Sequence, residues 1–231
     1  MVNDHIRVAP LRHLEMLQGA QRRLRWGFGL VAGLALALGV SADGRPHGPV
    51  LPGEVNATCQ YRGFLSAVDE PLYDEFLRQY APLRGDGELR RFVTAQVLAA
   101  AAVHRLDPDL LFALIAVESG FNSEAVSPKK ARGLGQMKFT TARDVAPDAV
   151  RRPEDLHDVP RNLHATALHL RQLLDETRGD LRRALRAYYA GRWDRNPERL
   201  DRDQYVGRVS TRYAYLKTKR SYDRQTAVST G

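Results

Sequence analysis

From residue 64 onward, large apolar residues recur every three or four positions, in stretches separated by short segments rich in Gly, Pro and Asp. That period is the mark of helices laid against a core. Pro71 to Tyr80 places Leu72, Phe76 and Leu77 on one face, and Gly85-Asp86-Gly87 then interrupts. Glu88 to His104, rich in Ala and Leu, is predicted as a strong helix. Asp107-Pro108 suits the start of the next, because Asp caps and Pro fits the first helical position. This helix runs through Glu118 and stops at Gly120. Phe121 to Met137, with Pro128, Gly133 and Gly135, reads as loop, followed by a short helix near Thr140 to Val145. Asn162 is the expected cap of a helix over Leu163 to Glu176, with Leu163, Ala167, Leu170 and Leu174 in register. Gly179-Asp180 opens another through Leu181, Leu185 and Tyr188, ending at Gly191. Tyr205 to Leu216 is the last predicted helix, and Lys217 to Gly231 reads as a polar, frayed tail. No stretch alternates with period two over strand length and no repeat is present, so the predicted fold class is all-α.

Before residue 64 the pattern changes. Trp26 to Ala42 is apolar and small, Arg22, Arg23 and Arg25 precede it, and Val40-Ser41-Ala42 offers small residues where a signal peptidase reads. That is the order of a secretory signal. The fit improves with a start at Met16, which shortens the charged segment. The run also reaches about 17 residues, the lower limit for an uncleaved spanning anchor. Either way, positive charge before the run predicts a body outside the cytoplasm, periplasmic or otherwise extracytoplasmic, with membrane contact only through this segment. The expected organisation is residues 1–42 signal or anchor, 43–63 a flexible leader with Pro46, Pro49 and Pro52, 64–91 a helical extension, 92–216 the main domain, and 217–231 the tail.

With 231 residues, 43% of them hydrophobic, the chain holds one ordinary domain plus flanking segments. The formal net charge of +8 favours anionic partners, but the basic residues are interleaved with acids and only Lys217, Lys219 and Arg220 form a concentrated cluster. Charge alone therefore motivates a nucleic-acid binder, and the export signal argues against one. The lone Cys59 makes no intrachain disulfide and no thiolate cluster. Val55-Asn56-Ala57-Thr58 before it is no lipoprotein cleavage box, and the sequon Asn56-Ala57-Thr58 is a three-residue pattern of the kind that arises by chance. The seven His are scattered, with His164 and His169 five apart, so no metal is expected; no phosphate loop or dinucleotide fingerprint implies a cofactor.

Chemistry concentrates at Glu118. A helix through Leu110 to Glu118 puts Leu111, Leu114, Ile115 and Glu118 on one stripe. Desolvation among aliphatic side chains raises a carboxylate's pKa, and a Glu held protonated near neutral pH is what a general acid requires. Most Glu residues in a last helical turn are solvated, so the stripe alone leaves both readings open.

The residues that follow extend the pattern. Glu118-Ser119-Gly120-Phe121, Ala125-Val126-Ser127-Pro128, Ala131-Arg132-Gly133-Leu134-Gly135-Gln136 and Ala187-Tyr188-Tyr189-Ala190-Gly191, in this order, resemble the soluble lytic transglycosylase domain, a family with the lysozyme-like α-helical fold. Leu106-Asp107-Pro108, Asn162-Leu163 and Tyr205-Val206 with Val209 agree, and the resemblance spans roughly residues 92–216. It implies cleavage of the β-1,4 bond between N-acetylmuramic acid and N-acetylglucosamine in peptidoglycan, leaving a 1,6-anhydro ring. Glu118 matches the family's single catalytic acid. Ser127 would position the acid or the acetamido group, Gln136 would hydrogen-bond sugar, and Tyr188 would donate to the carboxylate or the sugar, with core packing as its alternative. Ser119 either caps the helix or merely ends it, and Phe121 is assigned to packing. Glycosidases with two carboxylates need a second acid. Glu124 reads as a solvated loop residue, and Asp109 lies more than two turns from Glu118.

Three departures bear on the sugar subsites. Tyr189 stands where the family usually has Asn, Gly135 where it usually has Met, and Lys138-Phe139 where it often has Met then Pro. Lys138 either points a cation at a muramyl or peptide carboxylate or lies on the surface. The alternatives kept open are a lysozyme-like hydrolase of the same bond and a wall-binding module of an envelope assembly. The expected partner is the glycan strand, and a secretion or pilus complex is a further class left open.

Overall fold

The computed structural model describes residues 69–190 and 200–229. The signal or anchor segment, Met16, the leader, Cys59 and the sequon lie outside the described residues. Seven helices carry the architecture. They are α1 (Asp69–Leu77), α2 (Gly87–Val103), α3 (Pro108–Glu118), α4 (Phe139–Val145), α5 (Val159–Glu176), α6 (Leu181–Ala190) and α7 (Leu200–Ser229), with a 3-10 turn over Pro153–His157.

The caps explain the boundaries. The carboxylate of Asp86 accepts from the Leu89 amide at 2.9 Å and starts α2; Asp107 accepts from the Asp109 amide at 2.9 Å and starts α3, with Pro108 in the first turn. Leu110 through Ala116 are all buried, so α3 is a central helix rather than an amphipathic one, packed against α2 and α7. The expectation for Asn162 is overturned. Asp158 caps α5, accepting from the Arg161 amide at 3.1 Å, so Asn162 lies inside the helix with its side chain free for other work.

The loop between α3 and α4 is more ordered than its sequence suggests. It contains a two-stranded antiparallel hairpin, β1 (Ala131–Arg132) and β2 (Met137–Lys138), in which Ala131 faces Lys138 and Arg132 faces Met137. Two-residue strands are too short for any alternation to register. The expected frayed tail is also overturned, since α7 continues without a break to Ser229. Its polar residues find distant partners. Arg220 grips Asp109 through Nη2 at 2.5 Å and Nε at 3.1 Å and donates to the Tyr73 hydroxyl at 2.6 Å. Tyr213 and Lys217 both bond Asp107, at 2.7 and 3.1 Å.

The main core joins α1, α2, α3, α5 and α7. Leu72, Leu77, Val97, Leu111, Leu114, Leu163 and Leu170 are among its buried members. Tyr73 stacks on Phe112 at 4.1 Å, and Phe121 meets Phe76, Tyr80 and Phe112 in the same cluster, which accounts for its burial. A second, smaller core of Met137, Ala142, Ala146, Val150, Leu156 and Ala165 lies under α4 and the 3-10 turn, and Tyr188 packs against both. Among the described residues, no helix is long and apolar enough to cross a membrane.

Candidate active site

Glu118 is the last residue of α3, and Ser119 is its C-cap. Its backbone is held by the helix, and the residue is half-buried. Burial pushes its pKa up from 4.5 to about 7. The negative end of the α3 dipole acts in the same sense. Two groups oppose the rise: a hydrogen bond from Tyr205 and the more distant charge of Arg208. Among the described residues, no second carboxylate figures in that balance.

Tyr205 is the residue that sequence reasoning missed. Its hydroxyl donates to Glu118 Oε1 at 2.5 Å across a separation of 87 residues, and its ring is only 1% exposed. Burial, and then the Glu118 charge, hold the phenol well above its ordinary pKa, so it remains a donor at any working pH. Tyr205 belongs to the Tyr-Val pair read as part of a closing helix, and nothing local distinguishes it from a packing tyrosine.

Tyr188 was expected to donate to the carboxylate or the sugar. Its hydroxyl donates instead to the Gly135 carbonyl at 2.8 Å, with Met137 Sδ at 3.3 Å. It remains close enough to Glu118 for that charge, second to burial, to raise its pKa. Tyr205, rather than Tyr188, thus bonds the acid, and Tyr188 bonds the loop.

That loop is clamped to α5 by Asn162, which is 1% exposed. Asn162 Oδ1 accepts from the Gly135 amide at 2.8 Å, and Nδ2 donates to the Arg132 and Leu156 carbonyls at 3.0 and 2.8 Å. The clamp requires close approach. Gly133 has φ +69°, and a Cβ there would fall 2.0 Å from the Leu156 carbonyl oxygen. A Cβ at Gly135 would fall 1.9 Å from Thr166 Oγ1. The glycine that departs from the resembled pattern is therefore matched to the threonine beneath it.

Gln136 is turned into the loop as well. Its backbone φ is +48°, and Nε2 donates to the Ala125 and Gly133 carbonyls at 3.1 and 3.0 Å. Of the side chain expected to hydrogen-bond sugar, Nε2 is thus committed within the protein and Oε1 lies outside these bonds. Ser127 Oγ accepts from the Ala131 amide at 3.0 Å, an intraloop bond that leaves its hydroxyl hydrogen available. The hydroxyl of Ser119 is buried and has no hydrogen-bond partner among the described residues. Lys138 is exposed at the entry to α4.

Both alternative carboxylates have partners of their own. Asp109 is 1% exposed at the opposite end of α3 and engaged by Arg220 and Tyr73. Glu124, expected to be solvated, is half-buried with its carboxylate 3.8 Å from His157 Nδ1, beside the contact of that ring with the Ser123 carbonyl. His164 pairs with His104 at 3.1 Å, while His169 faces the Tyr188 ring at 5.4 Å. Among the described residues, no group of three or more His, Cys, Asp or Glu is arranged to hold a metal ion.

The described residues thus form an all-α domain with one desolvated acid at the end of its central helix. Residues 96–204 match the family model of the transglycosylase SLT domain. Among solved structures, the chain is similar to the lytic transglycosylase Slt of Pseudomonas aeruginosa, determined as an inactive mutant. The identity is 23% and the TM-score 0.49, over 54% of this chain and 24% of that one. The matched region thus spans about a quarter of that protein's length.

Proposed function

We propose that the protein is a peptidoglycan lytic transglycosylase that cleaves the β-1,4 bond between N-acetylmuramic acid and N-acetylglucosamine. The observation that carries this reading is the state of Glu118: a desolvated carboxyl group poised near neutrality, with a tyrosine donor and, among the described residues, no second carboxylate acting on it. A lone acid of this kind suits a reaction in which the substrate supplies its own nucleophile. Glu118, protonated, gives its proton to the glycosidic oxygen as the C1–O bond breaks. The acetamido group of the muramic residue assists departure. Glu118, now ionised and held by the Tyr205 hydroxyl, takes the proton of the muramic C6 hydroxyl as that oxygen bonds C1. The product is a 1,6-anhydro ring, no water is consumed, and Glu118 ends protonated as it began. Tyr205 serves both halves, because its hydrogen bond stabilises the anion without making the acid too strong to be protonated at neutral pH.

The Arg-rich, apolar, small-residue order of residues 22–42 supports action outside the cytoplasm, where the wall is. Digestion of purified sacculi followed by mass analysis tests the reaction. Anhydro-ended fragments are expected. Reducing-end products, one water heavier, would establish a hydrolase instead, and binding without release of soluble fragments would establish a wall-binding module.

A further inference from the structure

One edge of α7 carries Arg208, Arg212, Tyr215 and Lys219, at spacings of four, three and four, so their side chains leave the helix on one line. Three of them meet α1 or the turn after it. Lys219 Nζ lies 3.5 Å from Glu75 Oε2. The Tyr215 ring stacks on Phe76 with centroids 6.3 Å apart. Arg212 sits beside the Tyr80 hydroxyl. α1 and α7 run antiparallel, so each step back along α7 meets a later residue of the chain: Glu75, Phe76, then Tyr80. Arg208 is the next position on that line, and α1 has ended at Leu77.

Beyond that end lies the acid. Tyr205, one turn before Arg208, donates to Glu118. Tyr80, beside Arg212, lies against Gly120, with Cδ1 3.6 Å from where a Cβ there would stand. Arg208 is thus bracketed over the last residues of α3 and the start of the loop. After burial and the Tyr205 hydrogen bond, its charge is the remaining influence on Glu118. The Arg208 residue is exposed, and among the described residues its guanidinium has no hydrogen bond or ion pair. Lys217 and Arg220, farther along the same helix, each hold an aspartate. Arg208 is therefore a cation that fastens nothing in the fold, standing beside a half-buried acid.

A planar guanidinium in water matches a carboxylate with two parallel hydrogen bonds. Of the two sugars that alternate in a peptidoglycan strand, only the muramic one carries such a group. Its lactyl ether ends in a carboxylate or continues, through an amide, into a peptide that bears carboxylates of its own. Resting on the function proposed above, we propose that Arg208 is a specificity-determining residue that binds a carboxylate borne by the muramic residue next to Glu118. It distinguishes that residue from the uncharged N-acetylglucosamine, and so selects which of the two alternating bonds is presented to the acid.

The test measures kcat/KM for cleavage of three forms of a short alternating strand: free lactyl carboxylates, lactyl carboxyls capped as neutral methylamides, and lactyl groups extended by a stem peptide. The parent enzyme is expected to prefer a charged form to the methylamide about fivefold, near the upper end for a pair at an exposed guanidinium. Preference for the lactyl form places the carboxylate on the sugar itself, and preference for the peptide form places it on the stem. In Arg208→Gln the preference is expected to vanish, through KM rather than kcat, and in Arg208→Lys to be partly kept. In the parent it should fade as salt is raised, since an exposed pair is screened. No preference in the parent, or one that survives Arg208→Gln, overturns the proposal. So does an equal loss on all three forms with a shifted pH profile, which would make Arg208 an electrostatic brace for Glu118. Product mass reports on the proposed function separately. Reducing ends with the preference intact would overturn the reaction and keep the role of Arg208, and no cleavage of any form would overturn both.

Discussion

Helix α3 carries a buried acid at each end, and α7 answers both, in opposite ways. At the amino-terminal end, Asp109 receives a two-pronged guanidinium from Arg220 and a hydroxyl from Tyr73. At the carboxy-terminal end, Glu118 receives a single neutral hydroxyl from Tyr205. A paired, fully hydrogen-bonded carboxylate is a fastener: its charge is matched, and its proton has no use. A carboxyl group given one neutral donor and apolar walls stays near the point where it can both lose and regain a proton. The same two helices thus make one acid inert and leave the other reactive, and the difference lies in the charge of the partner.

The contrast is sharpest when each acid is removed. Glu118→Gln, nearly isosteric and still able to accept from Tyr205, is expected to lower sacculus digestion by about 10²-fold or more while the protein stays folded. Circular dichroism and a turbidity assay check the two halves of that statement, and full activity would end the role given to Glu118. Asp109→Ala is expected to do the converse. It strands Arg220 and costs about 3 kcal/mol of stability, measured by urea unfolding, with activity retained at temperatures where the variant is folded.

The pH dependence of Glu118 gives a further test. The pKa of Glu118 is raised in the folded state, so its stabilising effect is complete below about 4.5, its ordinary value, and is lost as pH rises through about 7. Glu118→Gln should therefore leave stability unchanged near pH 4 and raise it near pH 8, by on the order of 2 kcal/mol. Thermal melts at the two pH values decide it; a variant no more stable at pH 8 would mean that Glu118 is not desolvated. The same titration predicts activity falling as pH rises through about 7, since the free enzyme must enter the reaction protonated. The smallest expected effect is that of Tyr205→Phe. Loss of the donor should move that falling limb to higher pH and lower kcat about tenfold, because the anion needed in the second half is less well held.

Much of this was legible before any coordinates. The cap at Asp107, the helix through Glu118 and the aliphatic stripe beside it are local, and local periodicity records them. Asn162 was misread for an equally physical reason. Asn is a good cap by preference, but Asp158, four residues earlier, also caps, and competition between two nearby caps is settled by where the chain arrives. The long polar end of α7 was misread because its stability comes from Asp107 and Asp109, more than 100 residues away in the chain.

The amino-acid order by itself determined most of the helices, the start at Asp107 and the one acid on a stripe with aliphatic residues, because capping and three-to-four spacing act within a turn or two. Only the tertiary structure decided which tyrosine reaches that acid, which asparagine pins the loop and which end of α3 is neutralised. Those outcomes depend on helix pairing between distant segments, and a hydrogen bond over a few ångströms leaves no trace in a sequence where its partners stand 87 residues apart.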